Sequence, residues 1–185
     1  MKKVVLLGDS IRLDGYGRSV ENALAGEYEV WQPADNCRYA KYTLRQLHDW
    51  ENELMGADTV HWNNGIWDVC SCIDGDPVTP IEHYTEEIAR IAKFLQRHAQ
   101  TVIFATTTPV RKTNPTITNE RIEAYNKAAV QRLQQMGVVI NDLYSAVCAD
   151  IPRYICEDNV HLTQEGIALC AAQVENVIRR QAERL

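Results

Sequence analysis

Lys3-Val4-Val5-Leu6-Leu7-Gly8-Asp9-Ser10 carries an unbroken apolar run, Val4 to Leu7, straight into a glycine, a carboxylate and a hydroxyl. The run lacks the polar alternation of a strand with one face in water, so it reads as a strand buried on both faces. Met1-Lys2-Lys3 ahead of it imitates the charged start of a secretory leader. The apolar part stops after four residues, though, short of the ~7 to 15 that a leader requires. Strand-length apolar runs recur at residues 28–31, 59–62, 101–105 and 138–140. Helical patterns lie between and after them, at residues 18–24, 42–55, 81–98, 119–136 and 163–184. In the third of these, Ile81, Tyr84, Ile88, Ile91 and Leu95 fall at spacings of three and four, which puts them on one helix face. Strand alternating with helix predicts an α/β protein with a five-stranded parallel sheet covered on both sides.

Gly26, Gly56 and Gly137 each stand between a helical stretch and a strand, where a left-handed cap closes a helix. Two long irregular segments, residues 64–80 and 106–118, follow strands three and four. In an open α/β sheet that edge is where ligands bind.

The chain has 185 residues, 45% of them hydrophobic and 24% charged. That is the make-up of a folded protein, and residues 1–185 are expected to form one domain. Nineteen basic against 25 acidic side chains give a charge of -6, and no basic run exceeds two residues, which speaks against a nucleic-acid partner. The longest apolar run, Ile167 to Ala172, is far below the ~20 residues of a membrane span, so no membrane partner is expected. The six cysteines are expected to stay reduced in a cytoplasmic protein. Cys70-Ser71-Cys72 lacks the C-x-x-C spacing of a redox or zinc pair, and neither a metal nor a cofactor is expected.

Ser10 sits on the turn that leaves a buried strand, where a hydroxyl is held rigidly at the functional edge. Asp-Ser after a strand is also a common turn or helix cap. Near the other end, Glu157-Asp158-Asn159-Val160-His161-Leu162-Thr163 precedes the last helix, with Thr163 as its N-cap. Asp158 can accept the Nδ1 proton of His161, leaving Nε2 to take a proton from a serine. Taken alone, the Asp-x-x-His pair fits a structural hydrogen bond equally well.

Ser10 after strand one and Asp158-x-x-His161 before the last helix resemble the SGNH, or GDSL-type, hydrolases along nearly the whole chain. Gly8-Asp9-Ser10-Ile11 is similar to the family's first block, and Asp158-Asn159-Val160-His161 to its last. Thr107-Thr108-Pro109-Val110 also resembles the family's stretch after strand four. The resemblance implies a three-layer α/β/α sandwich of flavodoxin-like topology. It also implies a nucleophilic Ser10, a general base His161 and an orienting Asp158. Two blocks depart from the common pattern. Asp35-Asn36-Cys37-Arg38-Tyr39 has no glycine, which leaves the backbone N–H of Cys37 or Arg38 as an oxyanion donor. Asn63-Asn64-Gly65-Ile66-Trp67-Asp68 has tryptophan where Gly-x-Asn-Asp has asparagine, and resembles a branch with Asn-x-Gly-x-x-Asp. That branch implies Asn63 as the side-chain oxyanion donor beside the N–H groups of Ser10 and the Cys37–Arg38 turn. Strand alternation allows only one of Asn63 and Asn64 to face Ser10.

The expected activity is a serine ester hydrolase acting on small acyl, first of all acetyl, esters, with an acetylated sugar as the small-molecule partner. Asn64, Trp67 and Arg111 are expected at the substrate cleft, where Trp62 and Trp67 could stack on a sugar face. A lipid-directed esterase or thioesterase is the rival, set back by Asp68, Asp74 and Asp76 in the loop that would form its groove. A binding module on the same fold is the other, and a nucleotide binder lacks a glycine-rich phosphate loop. His61 is expected to be packed, and His48, His83, His98 and the Glu86-Glu87 pair to be solvated.

Overall fold

The structure, a computed structural model, describes residues 1–184. Five strands, β1 (Lys2–Leu7), β2 (Tyr28–Trp31), β3 (Ala57–Asn63), β4 (Ala99–Ala105) and β5 (Val139–Asn141), form one parallel sheet in the order β2-β1-β3-β4-β5. Helices cover both faces, as the alternation in sequence requires. Successive strand side chains point to opposite faces. Val4 and Leu6 meet α1 (Gly17–Leu24) and α8 (Gln164–Ala182) through Val20, Leu24, Val174 and Ile178. Val5, Leu7, Trp62 and Phe104 meet α2 (Ala40–Asp49), α4 (Ile81–His98) and α5 (Asn119–Gln134) through Leu47, Ile88, Ile91 and Ile122. Each such fully buried side chain contributes about 1.5–3 kcal/mol of transfer free energy. The order of the strands reverses between β1 and β3, and the crevice for a ligand opens beyond their carboxyl ends.

Gly26, Gly56 and Gly137 have φ of 85°, 72° and 76°, as expected of left-handed helix caps. Thr163 caps α8, accepting the N–H of Gly166 at 3.1 Å.

Several local expectations change. β2 is not buried on both faces, because it is an edge strand of four residues paired only with β1. The expected helix over 42–55 is two pieces, α2 and α3 (Glu51–Leu54), broken at Trp50, whose ring stands edge-on to Trp31 at 6.3 Å. A wide helical turn over Ile11–Tyr16 and two short helices, α6 (Leu143–Cys148) and α7 (Ile151–Tyr154), are too brief to announce themselves by periodicity. Asp142 and Asp150 cap the two short helices with their side chains. Glu87 is buried where α4 packs against its neighbours, and His98 is bonded to Glu51 at 3.1 Å and stacked on Phe94, so neither is solvated. Among the described residues no helix is long and apolar enough to cross a membrane.

Candidate active site

The site begins where β1 ends. The turn after Leu7 is closed by the N–H groups of Arg12 and Leu13, which donate to the Asp9 carbonyl at 3.1 and 3.0 Å, and by that of Ile11, which donates to Asp9 Oδ1 at 3.0 Å. This geometry leaves Ser10 lining the crevice although the residue is only 8% exposed. Gly8 is obligatory for a local reason: a Cβ there would lie 2.0 Å from Asn63 Oδ1.

The second part arrives 151 residues later. His161 Nε2 lies 3.0 Å from Ser10 Oγ, and His161 Nδ1 lies 2.7 Å from Asp158 Oδ2. The other oxygen of Asp158 accepts the N–H groups of Val160 and His161, both at 2.9 Å. Asn159, at φ 75°, lets the chain double back so that one carboxylate serves both the turn and the ring. Partial desolvation pushes the Asp158 carboxyl upward, but the two N–H groups and the imidazole outweigh it and hold the group below the usual carboxylate range. The three residues singled out from the sequence are thus brought into one hydrogen-bonded row.

The residues expected to line the oxyanion hole are arranged less simply. The Cys37 N–H donates to the Gly8 carbonyl at 3.1 Å and is therefore committed to structure. Arg38, at φ 50°, adopts the left-handed turn that glycine favours, and its N–H donates to Asn36 Oδ1 at 2.7 Å. Asn36 itself lines the cleft beside Ser10. The expectation for Asn63 differs most. Its amide nitrogen donates to Asp9 Oδ1 at 2.8 Å, and its oxygen accepts the Tyr16 hydroxyl at 2.8 Å. Asn63 is therefore tied beneath the nucleophile turn instead of lining the cleft. Alternation does separate the two asparagines, and Asn64 is also not at the cleft: fully buried, it donates to the Arg38 carbonyl at 3.0 Å and pins that turn.

Arg111 is likewise a brace. Its guanidinium donates to the carbonyls of Ile155 and Pro152 at 2.8 and 3.0 Å, and its N–H to that of Asn159 at 3.0 Å, so it holds the His161 loop, and it does not line the cleft. Trp62 is wholly buried, 4.8 Å from Phe104 between ring centres, and cannot stack on a sugar. Trp67 does line the cleft and is 41% exposed. His61 is packed as expected, edge-on to Tyr16 and 3.1 Å from Asn141, and burial holds its pKa down at about 3.

Two residues were not singled out from the sequence. Arg12 is fully buried and donates to the carbonyls of Gly8, Pro33 and Asp35 at 3.2, 2.9 and 2.8 Å, which fastens the Asn36–Arg38 turn to the end of β1. Burial raises the Asp9 carboxyl to about 6, against the pull of Asn63, the Ile11 N–H and Arg12. The only signal for either was a charge placed in a turn between buried segments.

The cleft has a volume of about 620 Å³. Ser10, His161, Asp158 and Asn36 are the polar residues of its lining, and Ile66, Trp67, Cys70, Val78, Ile117 and Val160 supply the rest. Asp68 is not part of it. Buried at the start of α2, it accepts the Ala40 N–H, and burial lifts its pKa to about 7. Among the described residues no three His, Cys, Asp or Glu side chains converge as metal ligands.

A lipase/acylhydrolase from Enterococcus faecalis has the same fold, with a TM-score of 0.80 at 22% identity over 98% of this chain and 97% of that one. The chain has the fold of the SGNH, or GDSL-type, hydrolases. An acetylxylan esterase from Geobacillus stearothermophilus shares it, with a TM-score of 0.78 at 15% identity over 95% and 93% of the two chains. In sequence, the chain is 26% identical over 118 residues to the GDSL esterase/lipase CPRD49 of Arabidopsis thaliana, covering 56% of this chain. It spans 46%, about half, of that curated relative's length. No family model matches the chain.

Proposed function

We propose that the protein is a serine ester hydrolase, and the row Ser10 Oγ, His161 Nε2, His161 Nδ1, Asp158 Oδ2 at 3.0 and 2.7 Å is the observation that carries the reading. Ser10 Oγ bonds to the ester carbonyl carbon while its proton passes to His161 Nε2. The alcohol leaves with that proton as its C–O bond breaks. Water then gives a proton to the same nitrogen and bonds to the acyl carbon; the acyl C–Oγ bond breaks as His161 Nε2 passes that proton to Ser10 Oγ, which releases the acid and restores the serine. Asp158 holds the ring with Nδ1 as donor, so that Nε2 is the acceptor.

The backbone N–H groups of Ser10 and Arg38 serve the oxyanion, each worth about 3–4 kcal/mol in the transition state. The Asn36 carboxamide oxygen, now on the Arg38 N–H, moves aside as substrate enters. Asn63 and Asn64 hold the two turns from which these donors come.

An acetyl ester on a carbohydrate is supported by the shared fold of the acetylxylan esterase. A longer acyl ester is supported by the lining of the cleft in this chain, which is the more direct observation. A serine-directed fluorophosphonate tests the common core of both. It should add one adduct to the peptide holding Ser10, and turnover of p-nitrophenyl esters should vanish in Ser10→Ala. An active enzyme that labels at Ser71 or Ser145 instead would sink the assignment.

A further inference from the structure

We propose that the trough leading from Ser10 past Trp67 and Val78 is an acyl subsite, which selects esters of apolar acyl chains of roughly four to eight carbons over acetyl esters. The inference rests on the ester-hydrolase reading and specifies its substrate.

Of the six apolar residues in the lining, Val160 belongs to the loop that carries Asp158 and His161, and the other five come from residues 66–78 and from Ile117. The leaving alcohol must reach His161 Nε2 to receive its proton, which sets the alcohol at the end formed by His161 and Asp158. The other substituent of the carbonyl, the acyl chain, points away from that end. There it meets Ile66, Trp67, Cys70, Val78 and Ile117. A sugar in this place would lose water from its hydroxyls, and Asn36 is the only side-chain amide in the lining to replace it. An alkyl chain needs no such partner.

Exposure points the same way. Among the described residues, the large apolar side chains left in solvent are Met1, Met55, Trp67, Ile73 and Val78. Three of the five fall within residues 67–78, the segment that walls the trough, and Trp67 and Val78 are 41% and 39% exposed. An apolar patch concentrated beside a nucleophile gains by being covered with an apolar ligand. The carboxylates that seemed to oppose this are out of the way: Asp68 is buried on Ala40, and Asp74 and Asp76 do not line the cleft.

Two ester series on the full chain test the proposal: p-nitrophenyl esters from acetate to decanoate, and acetates of alcohols from methyl to octyl. In the acyl series kcat/KM should rise about two- to fourfold per methylene until the trough is filled, while the alcohol series stays flat. Val78→Asp and Trp67→Ala, both at half-exposed positions, should each lower the octanoate-to-acetate ratio by about tenfold or more. Calorimetry on Ser10→Ala should find octanamide bound more tightly than acetamide. A flat acyl series, a rise in the alcohol series instead, or unchanged ratios in both variants would overturn the subsite. Tight octanamide binding by a protein that hydrolyses no ester would support the subsite and overturn the hydrolase reading.

Discussion

Asp158→Asn removes one charge and changes almost no volume, and the structure says what that does to the proton on His161. In the native protein Asp158 Oδ2 is an acceptor 2.7 Å from Nδ1, so Nδ1 carries the hydrogen and Nε2, 3.0 Å from Ser10 Oγ, accepts. Asparagine can keep its oxygen on the N–H groups of Val160 and His161, which lie 2.9 Å from Asp158 Oδ1. Its NH2 group then faces Nδ1. Two donors cannot share that contact, so the neutral ring moves its hydrogen to Nε2, and Nε2 donates to Ser10 when it should accept. The expected loss in kcat is about 10² to 10⁴, or about 3–5 kcal/mol of barrier. Because both turn bonds survive and the side chain is half exposed, the melting temperature should move little. Steady-state kinetics on a chromogenic ester, beside a thermal melt, read both numbers. A rate within a few-fold of native would refute the reasoning, because His161 would then be oriented by something else. A large drop in melting temperature would refute it differently, by making Asp158 a structural residue.

Asn63→Ala should lower stability and kcat together. It takes one donor from the buried Asp9 carboxyl, which keeps the Ile11 N–H, and leaves the buried Tyr16 hydroxyl without its acceptor, at about 1–3 kcal/mol for each lost partner. A kcat loss of 10² to 10³ with an unchanged melting temperature would return Asn63 to the oxyanion hole. His61→Gln should flatten the acid limb of stability. The unfolded chain takes a proton on this histidine below about pH 6.5, whereas the folded one resists down to about 3, so native stability falls as pH drops through that window. Between pH 7 and 4.5 the native protein should lose about 2–3 kcal/mol more than the variant in urea titrations. Asp9 and Asp68, raised to about 6 and 7, act in the opposite sense in both proteins and cancel in the difference. Equal slopes would refute the buried neutral histidine.

The alternation of apolar runs and amphipathic stretches was sufficient to determine a parallel α/β sheet, because a strand covered on both faces must be apolar throughout and its crossover must be a helix. Ser10, Asp158 and His161 were legible for a similar reason: each lies in a short local frame, a strand-end turn or an Asp-x-x-His loop, whose geometry is set within a few residues. Whether the two frames meet was not written in either of them. The strand order β2-β1-β3-β4-β5 brings the end of β1 to the entrance of α8 across 151 residues, and only that places Nε2 on Oγ. The contacts of Asn63, Asn64 and Arg111 were decided in the same way. An amide or a guanidinium can face a cleft or a carbonyl equally well, and here Asp9, Arg38 and the Pro152–Ile155 carbonyls took them. The character of the cleft also belongs to the tertiary structure. Asp68 is conspicuous in the sequence of the loop, yet it turns inward to the start of α2, while Ile66, Trp67 and Val78 from the same loop meet Ile117 and Val160 from two others. Polarity read along a chain reports what a segment contains. Which of its side chains share a wall depends on long-range packing, and no local pattern encodes it.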